Sequence, residues 1–160
     1  MTDSPASATG GTIALGPGEG RRIRVFDATM TVKAGGHETG GAFDAIEVLS
    51  PPGEGPPLHL HRRHEEAFFV LDGEFTFRSG EELVKLTPGG FLYVPRDTVH
   101  SYQNTGRRRG RLFVVLTPGG NDRFFAELGA LPPGPPDMAR ITPIFERYDL
   151  ELVGPPLSLV

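Results

Sequence analysis

The chain has 160 residues, among them 22 Gly, 16 Pro and no Cys, and a formal net charge of −4. About a quarter of it is therefore backbone punctuation, which argues against long helices, while a hydrophobic fraction of 38% supplies material for one core. The absence of cysteine excludes disulfides, thiolate metal sites and a cysteine nucleophile, and the acidic balance disfavours nucleic acid as a partner.

Residues 1–11 (MTDSPASATGG) have neither a basic start nor an apolar centre. They are expected to form a disordered N-terminal tail rather than a signal peptide. No apolar run approaches the 18 residues of a membrane span, so no membrane association is expected and the default location is cytoplasmic.

From residue 12 to about residue 120 the sequence alternates short apolar runs with Gly, Pro, Asp and Asn clusters, the pattern of an antiparallel all-β domain. Strands are expected at Arg22 to Lys33, Phe43 to Leu49, Leu58 to His61, Glu66 to Leu71 and Glu74 to Arg78. Further strands are expected at Leu83 to Leu86, Phe91 to Val94, His100 to Asn104 and Arg111 to Leu116. Asp72-Gly73 signals a hairpin, and Ser79-Gly80 and Pro88-Gly89-Gly90 signal further turns. The spacing of these turns fits a sandwich or barrel.

After Gly120 the pattern changes. Asn121 to Leu128 can form a short helix, capped by Asn121 or Asp122 and ended by Gly129. Leu131 to Asp137 is an extended linker, and Met138 to Tyr148 forms a second helix that Pro143 should break or delay. Pro155-Pro156 keeps the closing segment from being a central strand. Residues 121–160 are thus expected to be a C-terminal helical extension packing on the barrel, as a cap over an open end.

Four of the five histidines fall in two places. His59 and His61 stand at spacing two, so a strand presents both imidazoles on one face. Glu66 opens the apolar run EAFFVL, where a buried carboxylate needs a compensating charge. His100 lies on a later strand and completes a set of three nitrogens and one oxygen. His37, isolated among glycines, and His64, in a polar bend beside Glu65, read as ordinary surface residues, although His64 could support the ligands from behind. The runs Arg21-Arg22-Ile23-Arg24 and Arg107-Arg108-Arg109-Gly110-Arg111 read as solvated or interface charges.

The spacing resembles the two motifs of the cupin superfamily. His59-Leu60-His61, four residues, Glu66, six residues and Gly73 match the first motif; Gly89, five residues, Pro95, His100, three residues and Asn104 match the second. Asp97 stands where the second motif has glycine. The resemblance covers about residues 20 to 118 and implies a double-stranded β-helix, a jelly-roll barrel, with a metal inside. The tail, through FFAELG and YDLELVGPP, is similar to the extension of quercetin 2,3-dioxygenase-like single-domain cupins.

What the resemblance implies is one divalent transition metal per chain, held by His59, His61, Glu66 and His100. Ligand type leaves Fe, Mn, Co, Ni, Cu and Zn open. Glu66 is expected to act both as ligand and as base. Strand parity suggests a substrate pocket of Phe68, Val70, Phe75, Phe77, Tyr102, Leu112 and Val114, although the same side chains would equally form an ordinary barrel core. The leading expectation is a dioxygenase similar to quercetinases, acting on a small aromatic or enolic molecule. The alternatives are a non-redox polyketide cyclase or isomerase and a non-catalytic small-molecule-binding cupin. A homodimer is expected, because the edges of an open barrel need covering.

Overall fold

The computed structural model describes residues 10–160. The expected tail therefore lies, up to residue 9, outside the described residues. Eleven strands and two helices follow in the order β1 (Arg21–Val25), β2 (Ala28–Ala34), β3 (Asp44–Ser50), β4 (Pro57–His61), β5 (Glu65–Asp72), β6 (Phe75–Ser79), β7 (Glu82–Leu86), β8 (Phe91–Val94), β9 (His100–Asn104), β10 (Gly110–Thr117), α1 (Asn121–Gly129), α2 (Met138–Arg147) and β11 (Leu150–Pro156). A six-stranded sheet β1-β2-β3-β10-β5-β8 faces a five-stranded sheet β11-β4-β9-β6-β7. All the pairings are antiparallel. This is the double-stranded β-helix that the sequence resemblance implies.

Alternation builds the core. In β2 every second residue is buried, and β10 and β5 match Val114 with Phe68 and Leu112 with Val70 on the inner face. Phe75, Phe77, Val70 and Leu112 are all at or below 1% exposure and fill the barrel beneath the histidines.

Two local expectations within the barrel are corrected. The single strand expected over Arg22 to Lys33 is a hairpin, β1–β2, turned by the two-residue loop Phe26-Asp27 with Phe26 at φ 54. A bulky residue at positive φ gives no turn signal in the sequence. Asp72-Gly73 does reverse the chain, with Gly73 at φ 85, but β5 and β6 lie in different sheets and do not pair. A turn motif fixes a reversal; it does not choose the partner strand. Ser79-Gly80, in contrast, closes a true two-residue hairpin in which Ser79 pairs with Glu82.

The C-terminal segment adds a strand as well as helices. β11 pairs with β4 at the edge of the five-stranded sheet, where bulges at Gly154 and Pro156 accommodate residues that a central strand would reject. Pro143 does not break α2, which runs from Met138 to Arg147. The helix is held by Asp137, whose side chain accepts from the Ala139 amide at 3.0 Å, and by burial of Ile141, Ile144 and Phe145. For α1, neither Asn121 nor Asp122 caps the N-terminus. Gly120 occupies that position in the left-handed region, and Asp44 of β3 supplies the carboxylate, accepting from the amides of Gly36 at 2.8 Å, Gly120 at 3.0 Å and Asn121 at 2.8 Å. A cap from a strand 77 residues away cannot be read from local sequence.

Candidate metal centre

β4 and β9 lie side by side, and His59 sits directly opposite His100. Two residues along β4, His61 points the same way. Glu66 reaches in from β5 in the facing sheet, so the cluster joins the two sheets across the barrel. All four side chains are buried, and one donor atom from each lies within 4.8 Å of the others. The ring centroids are 4.5 Å apart for His59 and His100, 5.2 Å for His59 and His61, and 5.5 Å for His61 and His100.

The hydrogen bonds aim the rings. The Nδ1–H of His59 donates to the Pro57 carbonyl at 2.7 Å, and that of His100 donates to Thr98 at 2.8 Å. Each ring is thereby fixed in orientation with Nε2 turned into the cavity, as a metal ligand requires. Glu66 Oε2 lies 2.9 Å from His100 Nε2 and 3.2 Å from His61 Nε2. The second contact is poorly aligned, and both ring nitrogens of His61 are buried without a hydrogen bond among the described residues. A buried imidazole with no partner in an otherwise bonded cluster is a donor that a bound cation would satisfy. The four residues fit a divalent transition metal by donor type, spacing and ring orientation.

Electrostatics agree with this fit at His59 and Glu66. Burial, reinforced by His100 and His61, pushes His59 down to about 3, so it stays neutral and able to ligate. Burial would keep Glu66 protonated, but the hydrogen bond from His100 and the close His61 imidazole outweigh it and hold the carboxyl well below its usual range. Burial likewise opposes the charged form of His100, yet its bond to Glu66 prevails and raises it.

The cavity beside the cluster has a volume of about 60 Å³. Of the expected pocket residues, Phe68, Tyr102 and Val114 line it. Val70, Phe75, Phe77 and Leu112 do not; they continue the same inward faces but sit deeper, as packed core. The lining also includes Met30, Ile46 and Val48 from β2 and β3, which strand parity could have supplied. Phe124, Leu128 and Phe145 enter from the helices and cap the site, and Phe26 and Glu54 come from loops. Glu54 had no sequence signal, being one acid among glycines and prolines. His37 is exposed, as expected. His64 is half-buried rather than exposed, because the bend folds its ring to 5.9 Å from that of His61.

Asp97 accounts for the departure in the second motif. It adopts φ 62, the conformation a glycine would take there, and Asp tolerates it better than most residues. Its amide donates to the His61 carbonyl at 2.8 Å and its carboxylate accepts from Arg62 at 3.1 Å. The turn is therefore tied to the strand that carries two ligands.

Comparison with known proteins agrees with this architecture. Residues 46–116 match the Cupin domain family. The chain is 33% identical over 129 residues to quercetin 2,3-dioxygenase of Bacillus subtilis, an alignment covering 81% of this chain and 37% of that relative. It thus spans little more than a third of that relative's length. Protein SchB of Streptomyces halstedii is 31% identical over 102 residues, 64% of this chain and 72% of that one. Among solved structures, KdgF from Halomonas sp. superposes with a TM-score of 0.62 at 22% identity, covering 72% of this chain and 99% of that chain. With the jelly-roll topology, the two spaced motifs and the buried His59–His61–Glu66–His100 cluster, these matches establish that the chain belongs to the cupin superfamily.

Proposed function

We propose that this cupin is a metal-dependent oxidoreductase, a dioxygenase similar to quercetinases, acting on a small aromatic or enolic substrate at the His59–His61–Glu66–His100 centre. The observation that carries the reading is the ring arrangement, in which Pro57 and Thr98 hold His59 and His100 with Nε2 inward while His61 has no hydrogen-bond partner among the described residues. The relative named quercetin 2,3-dioxygenase supports the choice of reaction class. A divalent transition metal bound there would act as a Lewis acid toward a coordinated hydroxyl. In this reading Glu66, besides ligating, takes the hydroxyl proton of the substrate, and the apolar walls around Phe68 and Val114 exclude water.

A non-redox isomerase or cyclase is the second reading, favoured by cavity size. About 60 Å³ is well below the ~300–1,000 Å³ of typical ligand pockets. A flavonol would need the Phe124–Phe145 cap to swing outward, whereas a smaller enolic molecule needs less.

Metal analysis of protein purified without chelators, followed by oxygen-uptake assays with flavonols and aromatic polyketides, tests the proposal. One metal per chain and oxygen uptake with turnover are expected. Metal content near zero overturns the centre, and turnover without oxygen uptake selects the non-redox reading. Metal without turnover of any kind leaves a binding cupin. A homodimer covering the β1 edge belongs to the same proposal, and a monomer by light scattering at micromolar concentration refutes it.

A further inference from the structure

We propose that Glu54 is a second acid–base residue of the cavity, moving a proton to and from a small enolisable carbonyl compound held beside the His59–His61–Glu66–His100 centre. The inference deepens the reading of that centre as a substrate site but does not depend on its use of oxygen.

The loop between β3 and β4 is docked by its backbone onto β9, the strand that carries His100. Gly53 N donates to the Asn104 carbonyl at 2.8 Å, Asn104 N donates to the Glu54 carbonyl at 2.9 Å, and Gln103 Nε2 donates to the Gly53 carbonyl at 2.9 Å. Gly55 makes the approach possible, since a Cβ there would lie 1.8 Å from the Tyr102 carbonyl oxygen. Glu54 is therefore placed by the fold rather than left on a free loop. Its carboxylate accepts a hydrogen bond from the Ser50 hydroxyl.

The position has two sides. Glu54 lines the inner cavity together with the four candidate ligands and Tyr102, and it also lines an outer groove of about 600 Å³ bounded by Asp27, Met138 and Leu152. A carboxyl in such a partition can exchange protons with solvent on one side and with a ligand on the other. Glu66 is engaged by His100 and His61, which leaves Glu54 as the cavity carboxyl not held by histidines. The titratable groups facing it are Asp27, from the β1–β2 turn, and Tyr102, from β9, which also feels Glu66. Burial, against the Ser50 bond and helped by Asp27, pushes Glu54 up to about 7. Both its forms are thus populated near neutrality, where an acid–base catalyst is most effective.

The step balances without an oxidant. The Glu54 carboxylate removes the proton from the carbon beside the carbonyl, the C–H pair forms the enolate C=C bond as the carbonyl π pair moves onto oxygen, and protonated Glu54 returns the proton to the same carbon as that pair moves back. The substrate class is accordingly a small α-hydroxy ketone or related enol.

The test uses the metal-loaded protein, kept anaerobic in D2O, with hydroxyacetone as the probe and proton NMR to follow loss of its carbon-bound protons. Exchange well above that of buffer is expected, with a pH midpoint near that of Glu54. Glu54→Gln, which keeps an oxygen for Ser50, should lower exchange by roughly 10²-fold at unchanged metal content. Ser50→Ala should move the midpoint upward and Asp27→Asn downward, shifts that a merely structural role would not produce. Infrared difference spectra of wild type against Glu54→Gln should show a protonated carboxyl band titrating near neutrality. Wild-type-like exchange in Glu54→Gln, no exchange by the wild type, or no such band overturns the proposal. Oxygen uptake and metal content are measured separately, so loss of the dioxygenase reading remains distinguishable.

Discussion

His61 gives the sharpest test of the metal centre, because its two roles separate by energy. Both of its ring nitrogens are buried with no hydrogen bond among the described residues. His61→Ala then removes an unsatisfied polar group, a gain of about 1–3 kcal/mol, and loses ring packing, a cost of about 2–4 kcal/mol on the scale of large-to-small core substitutions. The two largely offset, so metal-free stability should fall by no more than ~3 kcal/mol. With metal the difference is large. A ligand at 100 times its Kd stabilises the folded state by about 2.7 kcal/mol. Unfolding entropy near ~2.1 cal/mol/K per residue gives about 0.34 kcal/mol/K for this chain, so that stabilisation corresponds to ~8 °C in Tm. Thermal melts of the stripped protein, with and without added Zn, Ni, Mn or Fe(II), should show that upshift in wild type and its near disappearance in His61→Ala. A His61→Ala protein that keeps the full upshift would remove His61 from the ligand set. A metal-free melt lowered by much more than ~9 °C would show that the ring is a packing element and not an idle ligand.

Replacing Asp44 by Ala should cost about 2–4 kcal/mol, because three amides at the start of α1 and in the β2–β3 loop lose their acceptor together. Hydrogen exchange should then accelerate across residues 120–128 more than in β5 or β10; uniform acceleration would refute the cap assignment. In metal-free protein, His59 is neutral down to about 3 when folded but protonates near 6.5 when unfolded, so stability falls as pH drops below 6.5, by up to ~1.4 kcal/mol per pH unit. Urea midpoints measured from pH 6.5 to 4.5 should show this slope in wild type and lose most of it in His59→Ala. Asp97→Gly should leave Tm and metal affinity within a small margin of wild type, whereas Asp97→Val, β-branched at φ 62, should lower Tm by about 3–6 °C and weaken metal binding through the turn attached to His61. Equal behaviour of the two variants would argue against strain at this turn.

The barrel and the clustering of His59, His61, Glu66 and His100 were legible because both rest on short-range periodicity. His59 and His61 two apart on a strand, Glu66 at the head of an apolar run and His100 on a strand with Tyr102 two residues on are patterns that a linear sequence carries directly. What escaped depends on contacts between distant segments. Asp44 caps a helix that starts 77 residues later in the chain. Phe26 turns a hairpin at a φ that its side chain does not advertise. Pro143 sits inside α2 because burial of Ile141, Ile144 and Phe145 outweighs one missing amide bond. The inward parity of Phe75, Phe77, Val70 and Leu112 was correct, but parity gives a face and not a depth, and these residues lie below the cavity rather than around it.

That difference in depth bears on how substrates are chosen. The floor under the metal centre is a closed aromatic pack, with Phe68 and Phe77 rings 5.2 Å apart and Phe75 5.9 Å from Tyr102, and it leaves no room to enlarge the cavity downward. The roof is built differently. Phe124 and Phe145 meet edge to face at 4.9 Å, and His59 lies 6.2 Å from Phe145, so the cap touches the ligand sphere directly. Its outer tether, Arg147 to Glu127 at 3.1 Å, is half-exposed and is an ion pair of the kind worth only ~0–1 kcal/mol. The two helices therefore rest mainly on apolar contact, on the Asp44 cap and on the ion pair of Arg21 with buried Asp122 at 2.8 Å. Cavity volume can change only on that side, and the ligand motif itself says nothing about it. On the proposed function, residues 121–150 rather than the histidines would set which small molecules fit beside the cluster, and exchange of Phe124 or Phe145 for smaller residues should enlarge the cavity with metal binding unchanged.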